Sequence, residues 1–321
     1  MKHPARPLET HDAPLLAELS ALAPRLLGHP LDLTTWPATP SGREVHAWCD
    51  GQSVLRLVPN SRVRARHSAD VTLVAQADGV ALLEAAVDFA DRWTPLDRLE
   101  LALPAEHPAV DRAHALGFIT EIRRRDRGGD GRDQLVLGRL RPGFVPRALP
   151  PPPVWPARTQ RNLPPWQWRP ITEPDSEAIQ ALSLEPTGLF GTLQSPSSSA
   201  DFYTQRLQRT APEDLMGLMV VGDALLGIGG LHPTEYGDVR ILGMAISADW
   251  QGCGVGRVLL GHLLTLARGL ALRRIELSVY EDNTRAQGLY TAFGFTASGT
   301  RRFDAVRDGG HASSREFALL L

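Results

Sequence analysis

The chain has 321 residues, of which 43% are hydrophobic and 22% charged, with a formal net charge of −2. That composition is ordinary for a soluble globular protein, the length suits two domains of ~100–200 residues, and the near-zero charge argues against a nucleic-acid partner. Lys2 is the only lysine among 34 Lys and Arg residues, which is a composition bias and not a basic patch. Two cysteines, Cys49 and Cys253, are too few for a disulfide framework. The N-terminus lacks the apolar core of a signal peptide, and no apolar run approaches the ~18–20 residues of a membrane span. A soluble, cytoplasmic protein without a membrane partner is expected.

In chain order, "RPLETHDAPLLAELSALAP" from Arg6 reads as a short strand, an acidic cap region and an amphipathic helix. "QADGVALLEAAVDFA" (76–90) and "LDRLELALPAEHPAVDRAHALGF" (96–118) follow as a helix and a strand–helix pair. Residues 141–166, "RPGFVPRALPPPPVWPARTQRNLPPW", carry proline at a density that favours an extended spacer. We therefore expect a first domain over 1–142, a Pro-rich linker over 143–165 and a second domain over 166–321.

The second segment repeats the plan of the first. "RPITEPDSEAIQALSLEP" begins at Arg169, "QGCGVGRVLLGHLLTLA" at Gln251 and "LRRIELSVYEDNTRAQGLYTAFGF" at Leu272. These lie 163, 175 and 176 residues after their counterparts at Arg6, Gln76 and Leu96, in the same order, which points to duplication. Between them, "LMGLMVVG" and "ALLGIGGL" predict a hairpin turning at Gly222, and "VRILGMAIS" a further strand. A helix "ADFYTQRLQRT" precedes this hairpin. Strands "RIELSVY", "FTASGTRRF" and "REFALLL" and the helix "TRAQGLYTAFG" complete an α/β fold with a mixed sheet.

The helix after Gly254 is strongly periodic in Val255, Val258, Leu259, His262, Leu263, Leu266 and Leu270. No Ser, Thr, Asp or Asn stands immediately before it, so its first N–H groups need another partner. Glycines at 252, 254 and 256 let the backbone curl so that several N–H groups converge on one phosphate. A plain tight turn with solvated donors is the alternative. A Rossmann loop fails because Arg257 or Leu259 stands where its last glycine belongs, and no lysine is present for a P-loop.

The spacing Gln251, Gly252, Cys253, Gly254, Val255, Gly256 resembles the Q/R-x-x-G-x-G/A loop of the GNAT acyltransferases. Asn283, Ala286, Leu289, Tyr290, Gly294 and Phe295 continue the resemblance in the family's order. It covers residues 166–321, most specifically 239–295. It implies two tandem GNAT-like domains, with acetyl-CoA as co-substrate and no metal. Its pyrophosphate would be held by Gln251, Gly252, Cys253, Gly254, Val255, Gly256 and Arg257, with Asn283 nearby. Tyr290 would be the general acid for the departing thiolate. Main chain at Ile246, on a strand that splays from its neighbour, would bind pantetheine and polarise the thioester.

Asn283 also suits a helix cap, and Thr284 with Gln287 has capping-box spacing. An amine of pKa ~10 is almost all ammonium at pH 7, so a base helps. The strand from Val239 to Ser247 has no carboxylate; His232, Glu235 and Asp238 are the nearest candidates, with Glu235 the expected catalytic base and a water relay the alternative. Cys253 has no partnered histidine and reads as a packing residue. In the first copy Gln76, Gly79 and Ala81 keep the loop pattern. There Ala77 and Ala81 replace two glycines, Asp78 would repel pyrophosphate, and Ala113 takes the tyrosine position. The first copy is therefore expected to have kept the fold and lost catalysis, a layout resembling mycothiol-synthase-like tandem members.

The expected function is transfer of an acetyl group to a small-molecule primary amine. The segment 185–202 is expected to border the acceptor, and the protein to be a monomer (a pseudo-dimer) or a homodimer. A non-catalytic CoA-binding protein, or an acyltransferase using a longer acyl-CoA, are the alternatives.

Overall fold

The computed structural model describes residues 5–27, 29–34, 36, 45–76, 79–155, 157, 163–192, 196–208 and 213–321. Contacts divide the chain into two compact units, Met1–Ala148 with Ser298–Ser314, and Leu149–Ala297 with Arg315–Leu321. The first boundary falls inside the expected linker at 143–165. Residues 298–314 depart from the expected continuous segment 166–321, because they pack in the first unit. Ion pairs hold them there: Arg301 Nε lies 3.0 Å from Glu100 and Arg302 Nε 2.9 Å from Glu121.

The first unit runs β1 (Arg6–Pro7), α1 (Ala13–Leu27), β2 (His46–Cys49), β3 (Ser53–Pro59), β4 (Ser68–Ala75), α2 (Val80–Trp93), β5 (Arg98–Pro104), α3 (Ala109–Ala115), β6 (Ile119–Arg124) and β7 (Gln134–Leu140). Its strand order is β1-β2-β3-β4-β5-β7-β6, with β4 and β5 parallel and the other pairs antiparallel. Neighbouring residues Val54 and Leu55 serve different cores. Val54 packs with Leu16, Leu19 and Ala23 of α1, whereas Leu55 packs with Leu82, Leu83 and Ala86 of α2. A period of two puts the two cores on opposite faces of the sheet.

The second unit contains β8 (Gln167–Pro170), α4 (Ser176–Leu184), α5 (Pro186–Gly191), α6 (Ala200–Gln208), β9 (Leu215–Val221), β10 (Ala224–Pro233), β11 (Val239–Ile246), α7 (Val255–Gly269), β12 (Arg274–Tyr280) and α8 (Thr284–Ala292). Two long strands, β13 (Thr296–Arg307) and β14 (Gly310–Leu320), follow. Strands β8 to β11 form an antiparallel meander, and β11 pairs in parallel with β12 through a crossover that contains α7. Helix α7 buries Val255, Leu259, Leu260, Leu263 and Leu264 over β10 and β11. Leu270, expected in that stripe, is instead 52% exposed, because the helix ends at Gly269. Helices α4 and α6 cover the other face through Ile179 and Tyr203, which pack on Leu218 and Val220. The helix α5 lies inside segment 185–202, expected to border the acceptor.

Several local devices recur in both units. Arg6 Nη1 donates to Asp12 at 2.9 Å and Arg169 Nη1 to Asp175 at 2.8 Å. The same two carboxylates accept the backbone N–H groups of Glu9 and Thr172. Arg98 pairs with Glu100 and Arg274 with Glu276, each two residues apart on a buried strand. Both α2 and α7 begin after a left-handed glycine, Gly79 and Gly254. No helix among the described residues is long and apolar enough to cross a membrane.

Candidate active site

The glycine loop joins β11 to α7 through a single 3-10 turn, Ala248–Trp250. Gly252 and Gly254 have φ of +81° and +88°, where a side chain would be strained. Gly254 is the N-cap of α7 and no side chain caps the helix. A Cβ built at Gly254 would meet no atom within 4 Å, so the loop is open at this point. Gly256 sits in contact distance of Leu289 and Ile246, which lets α7, α8 and β11 approach closely. Val255 is buried in the core, Arg257 is exposed with its guanidinium 5.2 Å over the Phe293 ring, and Cys253 is buried with Sγ 3.7 Å from the Gln251 carbonyl.

Gln251 ties the loop to its surroundings. Its Nε2 donates to the Ile246 carbonyl at 3.0 Å and to the Thr187 hydroxyl at 2.7 Å. Glu185 supplies a second tie, accepting from the Ala248 N–H at 2.7 Å and the Ser247 hydroxyl at 3.2 Å. Sequence reasoning missed both Glu185 and Thr187, since their partners lie more than 60 residues away. The expected linker also reaches this region. The Trp155 ring packs against Phe190 and under the Arg285 guanidinium, and the Ala157 carbonyl lies beside Gly252. That part of the Pro-rich segment is therefore packed on the second unit and is no free spacer.

Parallel pairing of β11 with β12 runs from Val239↔Arg274 to Ile241↔Glu276. Beyond it β11 continues to Ile246 and β12 to Tyr280. Residues 242–246 are thus unpaired with β12, while their other edge stays paired with β10. This is the local splay expected around Ile246, and it leads straight into the glycine loop.

Asn283 caps α8, its Oδ1 accepting the Ala286 N–H at 3.2 Å. Its side-chain amide nitrogen faces Gly191. The capping box expected of Thr284 and Gln287 does not form: Gln287 Nε2 instead donates to the carbonyls of Tyr280 and Glu281. Tyr290, two turns on, packs against Phe295 and Phe317. Burial pushes its phenol up to about 12, so the hydroxyl keeps its proton across the physiological range.

A cavity of about 170 Å³ opens on the face of β10 and β11 that α4 and α6 cover. Ile179, Tyr203, Arg206, Met216, His232 and Met244 contribute to its wall, and Gly188 and Thr192 bring in the expected acceptor segment, of which residues 193–195 lie outside the described set. His232 Nδ1 lies 2.7 Å from Asp214 Oδ1. Of the other two base candidates, Glu235 is exposed in the β10–β11 turn and does not line this cavity. Asp238 is taken up by Arg273 Nε at 2.8 Å. Sequence reading did not single out Asp214, because nothing local marks a residue just before β9 as the partner of one at the end of β10.

The corresponding glycine of the first unit, Gly79, has no such open space beside it. A Cβ at Gly79 would meet Leu73 at 2.8 Å and Ala75 at 3.2 Å. Ala113, at the tyrosine position, is fully buried. Ala77 and Asp78 lie outside the described residues.

The Acetyltransferase (GNAT) family profile matches residues 178–295. The L-amino acid N-acetyltransferase AaaT of Escherichia coli K12 is 28% identical over 138 residues, covering 42% of this chain and 85% of that protein. Mycothiol acetyltransferase of Geodermatophilus obscurus is 43% identical over 83 residues, 23% of this chain and 26% of that protein. Among solved structures, spermidine N-acetyltransferase from Vibrio cholerae, in complex with CoA and spermine, aligns at 19% identity with a TM-score of 0.46. That alignment covers 48% of this chain and 95% of that one. The chain is an acyltransferase enzyme. Over residues 178–295 the chain is similar to the GNAT acetyltransferase family.

Proposed function

We propose that the second unit transfers an acetyl group from acetyl-CoA to the primary amine of a small molecule by direct attack on the thioester. The observation that carries this reading is the junction of β11 with α7. There an uncapped helix N-terminus behind Gly254 adjoins a stretch of β11 unpaired with β12. The first suits a pyrophosphate, because helix N–H groups and the helix dipole favour an anion. The second suits an amide-bearing chain such as pantetheine, which can add to an open strand edge.

In this reading Gln251, Gly252, Cys253, Gly254, Val255, Gly256 and Arg257 form the pyrophosphate seat, largely through main chain. Main chain at Ile246 polarises the thioester carbonyl. Tyr290 donates a proton or a hydrogen bond to the departing sulfur, and its raised pKa keeps that proton available. Asn283 orients the start of α8. The relative that acetylates L-amino acids supports an acceptor of small size, as does the modest cavity.

We read the first unit as a degenerate copy of the same fold. The paired Arg–Asp and Arg–Glu devices and the left-handed glycines at matching offsets support duplication. Leu73, crowding Gly79, supports loss of the pyrophosphate seat in that copy. A cytoplasmic protein acting as a monomer or homodimer fits this reading.

The test is release of CoA from acetyl-CoA over a panel of primary amines, with Tyr290→Phe as control. Turnover on at least one small amine, reduced in the variant, is expected. Tight CoA binding with no turnover on any amine would overturn the reading.

A further inference from the structure

We propose that His232, held by Asp214, is the base that removes the proton from the acceptor amine; the inference rests on the acetyltransferase reading above. Asp214 is a carboxylate and accepts hydrogen bonds only, so the 2.7 Å contact puts a hydrogen on His232 Nδ1. The other ring nitrogen, Nε2, then carries the lone pair. A histidine oriented in this way by a carboxylate is arranged to accept a proton at the far nitrogen.

The far nitrogen faces the right place. A Cβ built on Gly243 would lie 3.3 Å from Nε2, so the imidazole occupies the space that a side chain at 243 would fill. Gly243 belongs to the five residues of β11 that are unpaired with β12. It is three residues, about 10 Å, from Ile246, where the thioester carbonyl is placed. Water held in the cavity of about 170 Å³ can carry a proton across that distance, from the attacking nitrogen at the carbonyl carbon to Nε2.

Burial fits the role as well. The His232 and Asp214 side chains are 27% and 19% exposed, so the pair is shielded yet reachable from the cavity. Arg206 and Tyr203, from α6, are the other charged or titratable side chains on that wall. Most of the remaining lining is apolar or glycine, which favours an amine with an apolar body.

The proton and bond balance is as follows. An ammonium acceptor gives one proton, through water in the cavity, to His232 Nε2, which passes it to solvent. The neutral nitrogen attacks the thioester carbonyl carbon, the C–N bond forms and the C–S bond breaks with its electron pair going to sulfur. Tyr290 protonates the thiolate and is restored by the second proton the nitrogen loses. The sum is ammonium plus acetyl-CoA giving amide, CoA thiol and one proton.

Four variants test the inference with acetyl-CoA and phenethylamine, n-butylamine or L-leucine as acceptor. His232→Gln is expected to lower kcat by ~10²-fold or more at pH 7, with the KM for acetyl-CoA unchanged. Its residual rate should climb about tenfold per pH unit, following the free-amine fraction. As a positioning residue, Asp214 should give a smaller kcat loss as Asp214→Asn, and Asp214→Glu should restore part of it. Gly243→Ala, which displaces the imidazole without removing it, should also lower kcat and spare the KM for acetyl-CoA. Wild-type turnover with unchanged kcat and pH dependence in His232→Gln would overturn the proposal. Absence of wild-type turnover on every amine would overturn the acetyltransferase reading, and this proposal with it. A variant that fails to fold shows itself as lost CoA binding, and Asp214→Asn and Gly243→Ala then decide.

Discussion

The side chain of Gln251 donates to the main-chain carbonyl of Ile246 at 3.0 Å. That bond closes the turn between the open end of β11 and the glycine loop. The same nitrogen reaches Thr187 in α5, so one amide couples β11, the glycine loop and α5.

Gln251→Ala removes both bonds. A lost hydrogen bond of about 1–1.5 kcal/mol corresponds to roughly tenfold in binding. The KM for acetyl-CoA is expected to rise by about that factor, with kcat changed by less. Steady-state kinetics with acetyl-CoA varied checks this.

Tyr290→Phe keeps the ring packing on Phe295 and Phe317 and removes only the hydroxyl. A fall in kcat of ~10²-fold is expected, because general acid catalysis contributes ~10²–10⁴-fold. Since burial holds the phenol at about 12, the wild type should lose no activity through this group below pH ~10. The pH profile of kcat, compared between the two proteins, reads both effects.

Gly254→Ala has room for its methyl group but not the backbone freedom, since φ is +88°. The left-handed conformation costs a non-glycine residue ~1–2 kcal/mol, so the midpoint of urea unfolding should fall accordingly. CoA binding, measured by calorimetry, should weaken as well, because the strained residue carries the first turn of α7.

In the first unit, burial pushes the Asp304 carboxyl up to about 6, against the pull of Arg301 and Arg98, and its Oδ1 has no hydrogen-bond partner. A native pKa above the unfolded value means that the unfolded chain releases its proton first as pH rises. Stability from this group is therefore whole below pH ~4 and is lost as pH rises to about 6. Asp304→Asn should raise thermal stability at pH 8, by ~1–2 kcal/mol, and leave it unchanged at pH 4. Thermal melts at the two pH values test the sign.

Much of the site was legible in the chain itself. The run from Gln251 to Gly256 carries its own instructions, because glycines adopt left-handed angles that other residues resist and the apolar period after them starts a helix. Asn283 and Tyr290 share a helix face by spacing alone. The repeated plan also left marks in sequence, since Arg169 and Asp175 are close enough along the chain to be read as a pair with Arg6 and Asp12.

Contacts between distant segments were not legible. Alternation and helical period report which way a side chain faces, but not which remote side chain it meets. Asp214, just before β9, and His232, on β10, are 18 residues apart, and the antiparallel register of β9 with β10 brings them together. Glu185 is selected over any other acid by how α5 packs beside the turn after β11. Residues 298–314 joined the first unit because ion pairs with Glu100 and Glu121 formed across more than 180 positions. Local conformation determined the glycine loop and its helix. Which acid partners His232, which side chains brace the turn after β11 and which unit residues 298–314 pack in were decided by packing and charge pairing between segments whose proximity exists only in the folded chain.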